Sequence, residues 1–223
     1  MSDDLKAFQR LLEGRFSCRG FLDTHVPRDV IREIVQTAQN VPSWCNSQPW
    51  QLSICSGETT QTLAEALSKA AAEGLHTPDV PFPDRYVGVY KERRSTCGWQ
   101  LYDAVGVQKG DRAGSYTQMM RNYAFFGAPH TAIVTTPQCL GAYGAVDCGA
   151  FVTAFTLAAQ SMGVATIAQA AIAGVAPVVR DILKIEEDRD ILCAISFGYE
   201  DKTHPANQFR TERAEPEDVI QWC

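Results

Sequence analysis

From Ala150 to Gly163 the chain reads Ala-Phe-Val-Thr-Ala-Phe-Thr-Leu-Ala-Ala-Gln-Ser-Met-Gly, uncharged and apolar on nearly every face of a helix. A helix with no polar face must sit inside a fold or between subunits. Asp147 is expected to open it, Gln160-Ser161 to interrupt it and Gly163 to end it. That is short of the roughly 20 apolar residues a membrane span needs, so no membrane role is assigned. The small residues would let neighbouring elements approach closely. Four apolar runs read as strands around it, at 50–55, 131–136, 165–168 and 191–197, with helices between them. This pattern gives an α/β or α+β sandwich in one domain, residues 1–223, with no repeat or low-complexity linker.

A second constraint is Pro42-Ser43-Trp44-Cys45-Asn46-Ser47-Gln48-Pro49-Trp50. Its two prolines fix φ and push Val41 and Gln48 toward extended conformations. Ser43, Asn46, Ser47 and Gln48 offer uncharged donors and acceptors. The segment reads as a stiff polar loop between a helix and the strand at 50–55. It suits a flat polar ligand, and equally a well-capped connection.

Residues 3–14 have helical apolar spacing at Leu5, Phe8, Leu11 and Leu12, and Gly14 ends the run. In the extended Arg15-Phe16-Ser17-Cys18-Arg19 that follows, Arg15, Ser17 and Arg19 fall on one side. Two guanidiniums and a hydroxyl on one side suit a phosphate, or are simply solvated. Pro27 opens the next helix, whose stripe is Val30, Ile31, Ile34, Val35 and Ala38. A helix is expected over 59–73. Gly74, Pro78, Pro81 and Pro83 then predict a mobile loop over 74–85.

Residues 86–108 mix Tyr86, Tyr90, Arg93, Arg94, Trp99 and Tyr102, as in a cover over a ligand or a helix on a partner subunit. A short helix over 112–123 leads to Phe125-Phe126-Gly127-Ala128-Pro129. After the strand at 165–168, Gln169 is a lone amide in apolar surroundings and calls for partners. Residues 200–214 hold little apolar material. They predict an arm that lies on a partner, with the basic cluster Arg210-Thr211-Glu212-Arg213.

Several functions are disfavoured. The net charge of −6 argues against bulk-charge binding of nucleic acid. The eight cysteines form no C-x-x-C pair, and the four histidines show no metal spacing, so no metal site is expected. Scattered thiols behind an acidic, unsignal-like N-terminus point to a cytoplasmic setting, most of them as buried small hydrophobes and Cys223 as exposed. There is no G-x-G-x-x-G, Walker A or G-x-S-x-G signature.

Taken together, Arg15-Phe16-Ser17-Cys18-Arg19, the helix opened by Pro27 and Pro42-Ser43-x-x-Asn46-Ser47-Gln48-Pro49-Trp50 resemble the nitroreductase family of FMN-dependent oxidoreductases. Asp147-x-Gly149, Gly163-x-x-Thr166, Phe197-Gly198-Tyr199 and Arg213 fit the same pattern over nearly the whole chain. Tyr90-x-x-Arg93 through Phe125-Phe126-Gly127-Ala128-Pro129 resembles the nitrobenzoate-type reductases. The resemblance implies an α+β three-layer sandwich with a central mixed sheet, and a homodimer with a domain-swapped C-terminal arm, 200–223.

By the same resemblance, Arg15, Ser17 and Arg19, with Arg213 from the arm, would surround the FMN phosphate and ribityl chain, and Phe16 would belong to the same cofactor-binding segment. Pro42, Ser43 and Asn46 of the partner, with Gln48 nearby, would meet the flavin. Ala168-Gln169-Ala170 would lie beside the ring, where a backbone N–H reaches N5. Thr211 stands where the family often has a second base, leaving Arg210 as a substitute. The flavin does the redox work, so no side-chain catalyst is expected. The implied cycle is ping-pong, with NADPH or NADH as reductant and a nitroaromatic or similar electron-poor aromatic as acceptor. Tyr90, Arg94, Trp99 and Phe125, in a lid over 75–125, are the substrate candidates, with core packing the competing role for Phe125 and Phe126. The alternatives are a reductive dehalogenase of a halogenated aromatic and a non-catalytic flavin-binding protein.

Overall fold

The computed structural model describes residues 2–223. Its frame is a four-stranded sheet of β1 (Gln51–Ser56), β2 (His130–Pro137), β3 (Ala165–Gln169) and β4 (Arg189–Gly198), ordered β1-β2-β4-β3. All three pairings are antiparallel. The expected mixed character reduces to one parallel bridge, Ser17 to Thr166, on the outer side of β3.

Helices cover both faces. The helices are α1 (Asp3–Gly14), α2 (Arg28–Ala38), α3 (Glu58–Ala72), α4 (Gly88–Ala104), α5 (Arg112–Met120), α6 (Gly141–Ser161) and α7 (Ala176–Leu183). On one face α2 and α6 pack Ile31, Ile34, Phe151 and Phe155 against Ala132, Val134, Ile195 and Phe197. On the other, α3 and α7 bring Leu63, Leu67 and Val179 against Ile133, Ile191 and Ala194. Successive side chains of β2 therefore alternate between two dry layers, and Thr131–Thr136 are buried throughout. The register of β2 on β4 shifts between Val134 and Thr135. There Leu192 and Cys193 both turn toward the α6 layer, as a bulge requires.

The central helix starts at Gly141, six residues before Asp147. Gly141 and Gly144, ahead of the expected start at Asp147, are part of it. A Cβ on Gly144 would stand 2.5 Å from the Thr136 hydroxyl, so glycine is what lets α6 cross β2 this closely. Asp147 is thus inside the helix rather than at its cap. One side of α6 is uncovered, with Tyr143 59 % and Val146 66 % exposed. This helix is long and apolar enough to cross a membrane by length and composition, and its other side is the core of the sheet sandwich.

Two segments are fastened more firmly than their composition suggests. The proline-rich segment after α3, expected to be a mobile loop, is held at Thr77 and Asp79. Thr77 N–H donates to the Gly174 carbonyl at 2.8 Å. Asp79 pairs with Arg180 at 2.7 Å and accepts the Ile191 N–H, released by the bulge, at 2.8 Å. The arm is also less detached than its composition suggests. Ala206 and Asn207 are buried, and the Asn207 amide donates to the Gly20 carbonyl at 2.9 Å. Of the cysteines, only Cys18, Cys55 and Cys148 are fully buried and Cys193 partly so; Cys45, Cys97, Cys139 and Cys223 are exposed.

Candidate functional site

The segment Arg15–Arg19 leaves α1 fully extended and runs along the outer edge of β3, where Cys18 N–H donates to the Thr166 carbonyl at 3.0 Å. Extension separates the side chains by parity. Cys18 turns inward and is buried, while Arg15, Ser17 and Arg19 turn to a cavity of about 600 Å³. Phe16 lines the cavity as well despite its opposite parity, together with Arg210, Thr211 and Arg213. Arg210 lies 3.7 Å over the Phe16 ring and lines the same cavity. Thr211 itself accepts from Arg213 Nη1 at 2.8 Å.

Four guanidiniums thus meet one carboxylate-poor cavity, with Glu13 alone at its rim. None of the four has an ion-pair partner among the described residues. Burial and the nearby Arg213 charge both lower the Arg15 pKa, and burial lowers that of Arg19. Cations that repel one another and lack counter-charges form a receptor for a compact anion.

The polar loop lies at the opposite edge of the sheet, leading into β1. Its backbone is unusual: Cys45, Asn46 and Gln48 all have positive φ. Gln48 N–H donates to Ser43 Oγ at 3.0 Å, and Gln48 Nε2 donates to the Asn46 carbonyl at 3.2 Å. Gln48 is therefore a staple within the loop, its amide turned back on its neighbours. The Asn46 side-chain amide makes no hydrogen bond among the described residues, and Pro42 and Asn46 are exposed. The sequence indicated this loop, while its two fastenings came only with the fold. The Asp147 carboxylate accepts from Trp44 N–H at 3.1 and 3.2 Å, and Arg189 Nη2 donates to the Pro49 carbonyl at 2.9 Å.

Around β3, alternation splits the three predicted residues. Ala168 and Ala170 are exposed, whereas Gln169 is buried. Its Nε2 donates to the Asn122 carbonyl at 2.8 Å and its Oε1 accepts from Ser196. The Gln169 side chain is thus occupied in the core. Thr166 turns its carbonyl to the outer edge, so two residues on, Ala168 turns its backbone groups to that same open edge.

The substrate candidates do not form one group. Phe125 is fully buried in the α3–α7 layer, a core residue with φ 53°. Tyr90 and Trp99, nine residues apart, fall on opposite faces of α4. Arg94 covers the Tyr86 ring at 5.2 Å. No residue of α4 is buried, so it is a helix without a covering layer in the single chain. Sequence reading missed Asn207, Arg121 and His204, which fasten the arginine-bearing segment. Asn207 Oδ1 accepts the Arg19 N–H at 2.8 Å, and Arg121 donates to His204 at 3.0 Å and to the Arg19 carbonyl at 3.4 Å.

An α+β sandwich with an arginine-lined extended segment on one edge of its sheet and a stiff polar loop at the other defines a recognisable class. The profile of the Nitroreductase family matches residues 12–199, and the chain belongs to that family. It is 37% identical over 216 residues to the nitroreductase NfnB of Mycolicibacterium smegmatis, covering 95% of this chain and 91% of that protein. It is 35% identical over 219 residues to a 4-nitrobenzoate reductase of Nocardioides sp., covering 96% and 88%. The crystal structure of the FMN-dependent nitroreductase NfnB from Mycobacterium smegmatis in complex with NADPH superposes with a TM-score of 0.95 at 34% identity, covering 99% of this chain and 100% of that one.

Proposed function

We propose that this protein is an FMN-dependent NAD(P)H oxidoreductase that reduces nitroaromatic or similarly electron-poor aromatic compounds. The observation that carries the proposal is the convergence of unpaired Arg15, Arg19, Arg210 and Arg213 with Ser17 on one cavity. A phosphate monoester dianion answers that charge, and each charge-assisted hydrogen bond to it is worth about 1.5–3 kcal/mol. The related proteins named above, an FMN-dependent enzyme in complex with NADPH and a nitrobenzoate reductase, support the same cofactor, reductant and substrate class.

Arg15, Arg19 and Arg213 would hold the phosphate, with Ser17 as a fourth donor. The open backbone edge at Ala168 would face the flavin ring. FMN bound there supplies two-electron redox chemistry, so no side-chain nucleophile or acid is needed. Reductant and aromatic acceptor would use the same open face in turn, which is the ping-pong order.

The site needs a second copy of the chain. The arginine segment, on the outer side of β3, and the polar loop, leading into β1, lie beyond opposite edges of one four-stranded sheet, about four strand spacings of ~4.8 Å apart. A two-fold partner would bring its loop to this cavity. The surface a partner would cover is apolar: Trp44 and Tyr143 touch edge to face at 4.3 Å, and Val146 continues the patch. The tail fits the same assembly. Val219, Ile220 and Trp222 are exposed, and β1 has an unpaired edge beside a groove lined by Arg28 and Arg32, complementary to Glu215, Glu217 and Asp218.

The test is FMN titration into apoprotein, followed by NADPH oxidation with 4-nitrobenzoate. Stoichiometric FMN binding with acceptor-dependent turnover is expected, and no FMN uptake would overturn the proposal. Deleting residues 215–223 should weaken the dimer in light scattering. An unchanged dimer would refute the placement of the tail on the partner.

A further inference from the structure

Asp147 lies two turns into α6 and is 9 % exposed. Among the described residues it has no ion-pair partner. A buried carboxylate is costly unless hydrogen bonds replace its water. Its partners all come from the polar loop. Both oxygens receive the Trp44 N–H, at 3.2 and 3.1 Å, and Oδ2 lies 3.5 Å from the Ser47 hydroxyl.

The loop needs such an anchor. Cys45, Asn46 and Gln48 hold φ of 51°, 55° and 47°, a region non-glycine residues enter only when the surroundings impose it. Asp147 clamps the turn at its start, and Arg189 clamps it at the Pro49 carbonyl. Between the clamps the Asn46 side-chain amide has no partner among the described residues.

We propose that Asp147 is a positioning residue that sets the shape of Pro42, Ser43 and Asn46 for the partner subunit's cofactor site, so that its loss weakens cofactor binding next door rather than in its own cavity. This rests on the dimeric FMN reading above. Asp147 touches neither cofactor nor substrate; it acts through the loop backbone.

Mixed dimers test it, with FMN as the probe and flavin fluorescence quenching as the readout. Asp147→Ala and Arg15→Ala chains each form homodimers expected to bind FMN at least about 10-fold more weakly than wild type, one lost charge-assisted hydrogen bond. In the mixed dimer, one site combines the intact arginine cavity of the Asp147→Ala chain with the intact loop of the Arg15→Ala chain. That dimer should regain one tight FMN per two chains. A wild-type chain paired with the Arg15→Ala/Asp147→Ala double variant should have no tight site. The reverse pattern overturns the action across the interface. Wild-type-like binding by Asp147→Ala overturns the role of Asp147 while leaving the FMN reading intact. Wild-type protein that binds no FMN fails that reading itself. If Asp147→Ala does not fold, Asp147→Asn keeps the size and one acceptor for Trp44 N–H. It should show several-fold weaker binding with the same mixed-dimer pattern, and its wild-type affinity would refute the proposal.

Discussion

Replacing Arg15 by alanine separates a residue kept for binding from one kept for folding. The Arg15 guanidinium makes no hydrogen bond and no ion pair among the described residues. It is half-buried, and burial and the Arg213 charge lower its pKa. In the apoprotein its removal takes away a repulsion and costs only some stem packing, so stability should change by no more than about 0.5 kcal/mol. With FMN present, one charge-assisted hydrogen bond of about 1.5–3 kcal/mol is lost. At about 1.4 kcal/mol per decade, Kd should rise roughly 10–100-fold. Urea denaturation of the apoprotein and FMN titration measure the two effects on one preparation. An apoprotein destabilised by about 2 kcal/mol with unchanged FMN affinity would refute the reasoning, because Arg15 would then be a structural residue. Arg19 should behave differently. It also donates to the Ser17 carbonyl at 3.3 Å and lies 5.8 Å over Phe126, so Arg19→Ala should lower apoprotein stability and affinity together.

Three further outcomes follow from buried contacts. His130 accepts the Val26 N–H on Nε2 at 2.9 Å and lies 2.6 Å from the Ser56 hydroxyl through Nδ1, and burial with the nearby His25 lowers its pKa to about 4. The unfolded chain takes up that proton near pH 6.5, so stability present above pH 6.5 should be lost on acidification toward pH 4, by up to about 3 kcal/mol; denaturant midpoints for wild type and His130→Gln would show it, and parallel pH profiles would contradict it. Asp79→Ala removes the shorter of Arg180's two ion pairs, leaving the contact with Glu187 at 3.7 Å, and takes the acceptor from the Ile191 N–H, so it should cost about 2–3 kcal/mol in urea unfolding without altering FMN affinity; a neutral variant would restore the mobile-loop expectation. Gly20→Ala puts a Cβ 2.2 Å from His204 Cγ, so it should lift the arm and weaken FMN binding about 10-fold or more, with wild-type affinity as the refuting result.

Features that announced themselves in the sequence are those whose composition leaves few choices. A helix without a polar face has to be central, and arginines four apart in an extended segment have to share a side. The Pro42–Trp50 loop was legible because prolines act locally. What could not be read depends on partners far along the chain. Asp79 in a proline-rich stretch carries no local sign that Arg180 and a bulged strand will seize it, so the segment looks mobile. Gln169 was rightly marked as an amide in need of partners, but those partners, Asn122 in the turn after α5 and Ser196 of β4, are distant in sequence and consume its side chain. Asp147 reads as the start of the central helix because the use of Gly144, close passage over Thr136, exists only in the folded state. Tyr90, Arg94, Trp99 and Phe125 were grouped by residue type, and helix geometry and burial separate them.

The absorbance spectrum of FMN-reconstituted protein, followed anaerobically through NADPH and then 4-nitrobenzoate, tests the central claim most directly. The proposed function predicts stoichiometric flavin bands that bleach with NADPH and return when the nitroaromatic is added. Bands that persist after NADPH, or a protein that takes up no FMN, would contradict it.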